Sequence, residues 1–201
     1  MRRLYILVLI LAVVGYIESF SIGKYLIHCN EKLLSASHDS LLVQVGVKEI
    51  TGRNDGFKVE QYLNSVGLSK GNPYCAAGQY WCFRSSCKDL KLPVSEIPIY
   101  RTGSTVIMYN EGVKKGIKQT PKPKCNDLIF WRRPNTWSGH VERIIEVLKA
   151  GWIRTAGFNT SSGILGSQND GEGVSIRKRN VNHFLGRMAV RGYLGFNPID
   201  N

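Results

Sequence analysis

Three residues of this chain have types and spacing that suit nucleophilic catalysis: Cys75, His140 and Asn159. Cys75 follows the turn-forming segment Asn72-Pro73-Tyr74 and is predicted to open a helix. A helix N-terminus favours the thiolate form of a cysteine, and the thiolate is the nucleophile. His140 would act as base toward the thiol and then as acid toward a leaving amine. The side-chain carbonyl of Asn159 would accept the imidazole N–H and fix its tautomer.

Each of these residues also has an ordinary structural explanation, which the sequence leaves open. A single cysteine in a helix is most often a buried thiol that packs as a small hydrophobe. A histidine at the head of a strand is most often an ordinary surface residue. Asn159 begins the run Asn-Thr-Ser-Ser-Gly, which is typical of a turn. The chemical interpretation therefore depends on a fold that brings the three side chains together.

The elements that must position these residues fall into two halves of the chain. Apolar spacing and flanking glycines predict helices over residues 31–45, 57–66, 75–86 and 104–115. Short runs between turn-forming residues predict strands over 127–131, 141–148, 152–158, 174–178 and 189–196. Helices followed by strands predict an α+β fold, with the helix of Cys75 packed on an antiparallel sheet of about five strands.

The N-terminal segment has the pattern of an export signal. Arg2 and Arg3 precede an uncharged run over residues 4–17, which Glu18 closes. This run is too short for a membrane span, which needs about 20 residues, and it suits the core of a signal peptide. Residues 1–21 are therefore predicted to be a leader cleaved after Ser21, with export to the periplasm or beyond the cell. An uncleaved membrane anchor and a buried N-terminal helix are the alternatives.

The basic charge of the chain indicates which partners it would meet. The formal net charge is +12, and it is +11 without residues 1–21. Long-range attraction would hold such an exported protein near polyanions such as cell-wall polymers and membrane surfaces. The basic residues are scattered, apart from Arg132-Arg133 and residues 177–179, and no nucleic-acid-binding motif is present. We expect no nucleic-acid partner, and we expect a monomer.

The cysteine count fits a free nucleophile in an oxidising compartment. Five cysteines follow the leader, at positions 29, 75, 82, 87 and 125. An odd number leaves one thiol over, and the other four could form two disulfides in three arrangements or remain buried thiols. The spacing of Cys82 and Cys87 does not match a ligand pair, no histidine pair accompanies them, and no calcium loop is present. We expect no metal and no cofactor.

Several blocks around the three candidate residues occur together and in a fixed order. They are Asn54-Asp55-Gly56, Tyr62-Leu63, Gly67-Leu68, Gly71-Asn72-Pro73-Tyr74-Cys75-Ala76-Ala77, Trp81-Cys82, Asp127-Leu128-Ile129-Phe130, Gly139-His140-Val141 and Asn159-Thr160. In these blocks the chain, from about residue 45 to residue 179, resembles the CHAP-type peptidoglycan hydrolases, the cysteine, histidine-dependent amidohydrolases/peptidases. The resemblance implies the papain-like core that these enzymes share with relatives of NlpC, here over residues 30–201.

The resemblance also implies an activity and assigns roles. It implies hydrolysis of amide bonds in the peptide part of bacterial peptidoglycan, with Cys75 as nucleophile and His140 as base. Many CHAP domains carry a glutamate two residues before the asparagine, where this chain has Gly157, so the orienting role is predicted for Asn159 alone. The bond that is cut stays open: it is either the lactyl–alanine amide or a bond within the stem or cross-bridge.

Three further residues are candidates for binding the substrate. Tyr74 or Asn72 could supply a second hydrogen bond to the oxyanion, beside the backbone N–H of Cys75. Trp137 lies in a polar loop just before His140 and could stack on a sugar. Two other functions remain open. Gly157 would suit a catalytically decayed wall-binding module, and the same cysteine chemistry would suit a secreted hydrolase or toxin that acts on another target.

Overall fold

The computed structural model describes residues 22–160 and 172–199. The predicted leader, residues 1–21, lies outside the described residues. No helix in the described part of the chain is long and apolar enough to cross a membrane.

The helices and strands follow the order that the sequence indicates, with additions. The helices are α1 (Glu31–Val43), α2 (Phe57–Ser65), α3 (Cys75–Asp89) and α4 (Thr105–Lys115), with a 3-10 turn at Val94–Glu96. The strands are β1 (Gly23–Asn30), β2 (Ile117–Gln119), β3 (Leu128–Arg132), β4 (Gly139–Val147), β5 (Trp152–Thr160), β6 (Gly173–Asn180) and β7 (Ala189–Ile199). This content confirms the predicted α+β class.

The sheet differs from the prediction in size and in strand direction. Across the described residues it has seven strands in the order β2-β1-β7-β3-β4-β5-β6. The prediction of about five antiparallel strands is therefore wrong, because β1 pairs with β7 in parallel and β2 adds an edge. The β1 strand follows closely on the apolar run over residues 4–17, which obscures it in the sequence, and β2 has three residues, all of them exposed.

The first strand also moves the start of the domain. The register of β1 on β7 runs from Gly23 opposite Gly192 to Asn30 opposite Ile199. Lys24 in β1 donates to the Asp127 carboxylate at 2.5 Å, and both side chains are buried. Removing one partner of such a pair would leave the other charge buried and unpaired, which is strongly destabilising. The ion pair therefore fixes the position of β1 in the fold. The fold therefore includes residues from Gly23 onward, whereas the predicted boundary was at residue 30.

Helix α3 packs most deeply, and its small residues allow this. Ten of its fifteen residues are buried. Gly78 lies against the ring of Phe158 in β5, where an added Cβ would come within 2.2 Å of the ring. Because Gly78 has no side chain, the backbone of α3 lies directly on the Phe158 ring, and the helix lies close to the sheet. The close packing brings the first residue of α3 next to the ends of β4 and β5.

The opposite face of the sheet carries a smaller apolar cluster. It includes Ile129 and Trp131 of β3 and Ile144 of β4. The connection between β6 and β7 supplies Leu185 and Met188 to the same cluster. This connection is needed because β6 is the last strand of the sheet, whereas β7 lies between β1 and β3.

All five cysteines are free thiols in the structure. Cys29, Cys75, Cys82 and Cys87 are buried, whereas Cys125 is exposed. Neither of the disulfides that the sequence left open is formed.

Candidate functional site

Cys75 is the first residue of α3, so its backbone N–H has no carbonyl partner within the helix. The first intrahelical bond runs from the Gly78 N–H to the Tyr74 carbonyl at 2.8 Å. Tyr74 occupies the N-cap position and makes no side-chain capping bond. The Cys75 N–H therefore precedes the hydrogen-bonded part of the helix. It stays available to an acceptor at the thiol, at the positive end of the helix dipole.

Tyr74 anchors this helix start in the core. Its ring is fully buried, and its hydroxyl donates to Glu49 Oε1 at 3.0 Å. Burial, reinforced by the Glu49 carboxylate, raises the pKa of Tyr74, while a bond from the Asn159 backbone N–H opposes this rise. The side chain thus points away from solvent. The structure corrects the predicted role of Tyr74 as an oxyanion donor or substrate contact and gives it a role in positioning Cys75.

His140 lies near the start of β4, directly opposite Trp131 of β3. Its Nε2 is 3.1 Å from Glu142 Oε1 and 3.4 Å from the Thr160 hydroxyl oxygen. Nδ1 is therefore the ring nitrogen left to face Cys75, and the interaction of the Cys75 side chain with the ring is one of the effects that raise the pKa of His140. Burial disfavours the imidazolium, but the bonds with Cys75 and Glu142 outweigh it and raise the pKa of His140 to about 9.

Glu142 is the group that orients His140, and it is held on several sides. Its carboxylate is fully buried and accepts bonds from Arg179 at 2.6 and 3.0 Å and from the Thr155 hydroxyl at 2.5 Å. Burial alone would raise the pKa of Glu142. The hydrogen bonds from His140 and Arg179, together with their charges, hold it well below its usual range. Glu142 therefore carries a negative charge beside the imidazole.

This arrangement corrects the prediction that Asn159 orients the base. Sequence reasoning missed Glu142, although residues two apart on a strand share a face and the run His140-Val141-Glu142 carried that signal. Gly157 lies directly opposite Glu142 on β5, and a Cβ there would come within 2.6 Å of Glu142 Cγ. The absence of a side chain at position 157 thus leaves the space that the carboxylate from the neighbouring strand fills.

Asn159 remains beside the site without contacting His140. It lies at a bulge between β5 and β6 and adopts a left-handed backbone with φ of 53°, which asparagine tolerates. Its side chain lines the same cleft as Cys75. Its Oδ1 is buried without a partner, and its Nδ2 donates to no group within the described residues.

Cys75, His140 and Asn159 line a cleft of about 660 Å³. Its walls come from residues 72–73, 102–105 and 137–139 and from Leu68, Arg133 and Met188. Trp137 lines the cleft with 77% of its surface exposed, which suits its predicted role in substrate contact. Asn72 also lines the cleft, but its Nδ2 donates to the Ser69 carbonyl at 3.0 Å. The structure therefore places both residues at the cleft and leaves only Trp137 without a side-chain partner there.

The site contains the groups that acyl transfer by a thiol requires. A thiol at a helix start, a histidine in the same cleft and a carboxylate bonded to the histidine match the nucleophile, base and orienting group of covalent hydrolases. Among the described residues, no three His, Cys, Asp or Glu side chains are grouped so that they could hold a metal ion. Comparisons with family models, with curated proteins and with solved structures found no match to this chain.

Proposed function

We propose that this protein is an exported cysteine hydrolase with a papain-like core, which cleaves amide bonds in the peptide part of bacterial peptidoglycan. The observation that carries the proposal is that Cys75 and His140 line one open cleft, with a buried carboxylate behind the histidine. His140 bonds to Glu142, and Arg179 holds Glu142 in place. The CHAP-like sequence blocks, the leader and the basic charge support the choice of substrate.

The first half of the proposed reaction forms a thioester. His140 takes the proton of the Cys75 thiol, and the Glu142 carboxylate stabilises the imidazolium that forms. The thiolate attacks the carbonyl carbon of the scissile amide and forms a C–S bond. The imidazolium then gives its proton to the amide nitrogen as the C–N bond breaks, so the product amine leaves neutral.

The second half releases the acid. Neutral His140 takes a proton from a water molecule while the water oxygen attacks the thioester carbonyl. The C–S bond breaks, and the peptide leaves with a new carboxyl group. The proton taken from water is then on His140, and Cys75 is again a thiolate. Atoms and charge balance to one water consumed per amide.

Two donors are available for the oxyanion in both steps. One is the Cys75 backbone N–H, which precedes the first intrahelical bond of α3. We assign the other to the Asn159 side-chain amide, since its Nδ2 has no described acceptor and its residue lines the cleft. Donors held in place before reaction stabilise the developing charge most effectively.

The structure weakens the case for a decayed wall-binding module. That alternative depended on Gly157, where CHAP domains often have a glutamate. Here the Glu142 carboxylate lies in the space beside Gly157 and bonds to His140. A hydrolase or toxin that acts on another target stays an outcome of the test below.

The test compares three proteins on purified peptidoglycan, with mass spectrometry of the released fragments. Cys75→Ala removes the nucleophile and is expected to abolish release. Cys125→Ala is the matched control, because Cys125 is the exposed cysteine and does not line the cleft; it should release fragments like the wild type. Equal release by wild type and Cys75→Ala would refute the assignment of Cys75. Cleavage of protein substrates alone would favour the other target class.

A further inference from the structure

One charged side chain in the cleft narrows the choice of scissile bond. Arg133 lines the same cleft as Cys75 and His140. Within the described residues, no Asp or Glu lines this cleft, and Arg133 is its one lysine or arginine. The Arg133 side chain is exposed, and its guanidinium makes no ion pair with any described carboxylate. The cleft therefore offers one unpaired cation to whatever binds there.

The β3–β4 hairpin determines where this cation points. Trp131 pairs with His140, Arg132 pairs with Gly139, and the Arg133 N–H donates to the Ser138 carbonyl at 3.0 Å. Side chains alternate along paired strands, so Arg133 leaves the hairpin on the face of Trp131 and His140. Two residues along a strand span about 7 Å, a distance that an arginine side chain can cover. The guanidinium can thus reach a group bound beside His140.

A second feature of the cleft wall also favours a negative ligand. Helix α4 begins at Thr105, and both Thr105 and its N-cap residue Ser104 line the cleft. The N-terminal end of a helix carries a partial positive charge. Thr105 also lies against Gly139, the residue before His140, so this partial charge adds to the effect of Arg133 beside the histidine.

His140 marks the side of the cleft that holds the leaving group, because it gives its proton to the departing amine. We propose that Arg133 binds a free carboxylate on the residue that leaves as the amine, an inference that rests on the proposed function. A guanidinium and a carboxylate form charge-assisted, often bidentate hydrogen bonds. The bond cut then lies within the stem or the cross-bridge. The lactyl–alanine amide does not qualify, since the carboxyl group of that alanine is itself in amide linkage.

The first test identifies the new amino terminus in wild-type digests of purified peptidoglycan. A residue with a free carboxylate next to the released amine supports the proposal, and release of the stem at the lactyl–alanine amide overturns it. Arg133→Gln should lower kcat/KM on carboxylate-bearing substrate by about 10- to 100-fold through KM, the range for a lost charge-assisted hydrogen bond. Arg132→Gln is the control, because the Arg132 Nε is already bonded to the Thr136 carbonyl. Equal effects of the two variants overturn the proposal.

A binding experiment separates this inference from the hydrolase proposal. Two synthetic stem peptides differ only in the free carboxylates of the residues after the first alanine, which are kept in one peptide and are carboxamides in the other. Calorimetry measures their binding to Cys75→Ala, with and without Arg133→Gln. The free carboxylate should bind about tenfold more tightly, and Arg133→Gln should remove the difference. Equal binding of both peptides to Cys75→Ala overturns the inference, whether or not the wild type hydrolyses peptidoglycan.

Discussion

Replacing Glu142 by glutamine tests the role of the buried carboxylate most directly. The substitution keeps the shape of the side chain and removes its charge, which stabilises the imidazolium of His140. His140 has its pKa raised from 6.5 to about 9 against the effect of burial. A displacement of this size corresponds to about 3 kcal/mol in favour of the charged form. Glu142 and Cys75 share that contribution, so the variant should lose a large part of it.

The loss should be visible in the pH dependence of activity. The reactive form needs a protonated His140, so wild-type kcat/KM should fall as the pH rises through about 9. In Glu142→Gln this alkaline limb should move down by about 1–2 pH units. At pH values below this limb, kcat/KM of Glu142→Gln should be about 10²- to 10⁴-fold lower than that of the wild type. The upper figure is the loss known for replacing a triad aspartate. The same proton stabilises the fold: this contribution is full below pH 6.5 and is lost as the pH rises through about 9.

The assay is release of soluble fragments from peptidoglycan between pH 5 and 11, at initial rate. Glu146→Gln is the matched control, because Glu146 lies on the same strand and pairs with Arg154 at 3.4 Å in an exposed position. An exposed pair contributes about 0–1 kcal/mol, so this control should leave the profile unchanged. Circular dichroism verifies that both variants are folded. An alkaline limb at the wild-type pH in folded Glu142→Gln would refute the reasoning.

Three more outcomes follow from the structure. Trp137→Ala should raise KM about three- to tenfold without changing the melting temperature, because the ring is 77% exposed at the cleft; kinetics and thermal unfolding measure this, and an unchanged KM would contradict it. Moving the carboxylate to the neighbouring strand, in Glu142→Ala/Gly157→Glu, should recover at least about tenfold of the activity that Glu142→Ala loses, since the positions are cross-strand partners; no recovery would count against the shared space. Lys24→Met should lower the free energy of unfolding by about 3–5 kcal/mol by leaving Asp127 buried and unpaired; urea unfolding measures this, and an unchanged midpoint would contradict it.

The sequence predicted the helices well because their signals are local. Cys75 opens α3 where the Asn-Pro-Tyr turn ends, and the predicted helix at 104–115 matches α4 almost to the residue. The strand β1 was missed for a physical reason. It has no alternating pattern, since seven of its eight residues are apolar or buried, and it follows closely on the apolar run at the start of the sequence. Its parallel partner β7 is more than 150 residues away, a pairing that no local pattern encodes.

The site was predicted in part for the same reason. Cys75 and His140 are each marked by their own neighbours in the chain. The link between His140 and Glu142 is also local, two residues apart, but Glu142 lies in a strand whose alternation equally suits an ordinary surface carboxylate. Only the tertiary contacts show it buried, with Arg179 and Thr155 bound to it from β6 and β5. Gly157 misled the prediction of the orienting residue, because the carboxylate that takes the place of its missing side chain belongs to Glu142 on the neighbouring strand.

The parallel pairing of β1 with β7 determines how far a group attached at either end of the fold lies from the Cys75 cleft. Gly23 pairs with Gly192, which in turn pairs with Phe130, one residue from the row of Trp131 and His140. Three strand spacings of about 4.8 Å put Gly23 roughly 15 Å from His140 across the sheet. A membrane tether joined before Ile22 would hold the mouth of the Cys75 cleft close to the lipid surface. In β7, Val190 is the residue opposite Trp131, and Ile199 is nine residues, or roughly 30 Å, farther along the strand. Ile199 is therefore the better place for an affinity tag or a reporter.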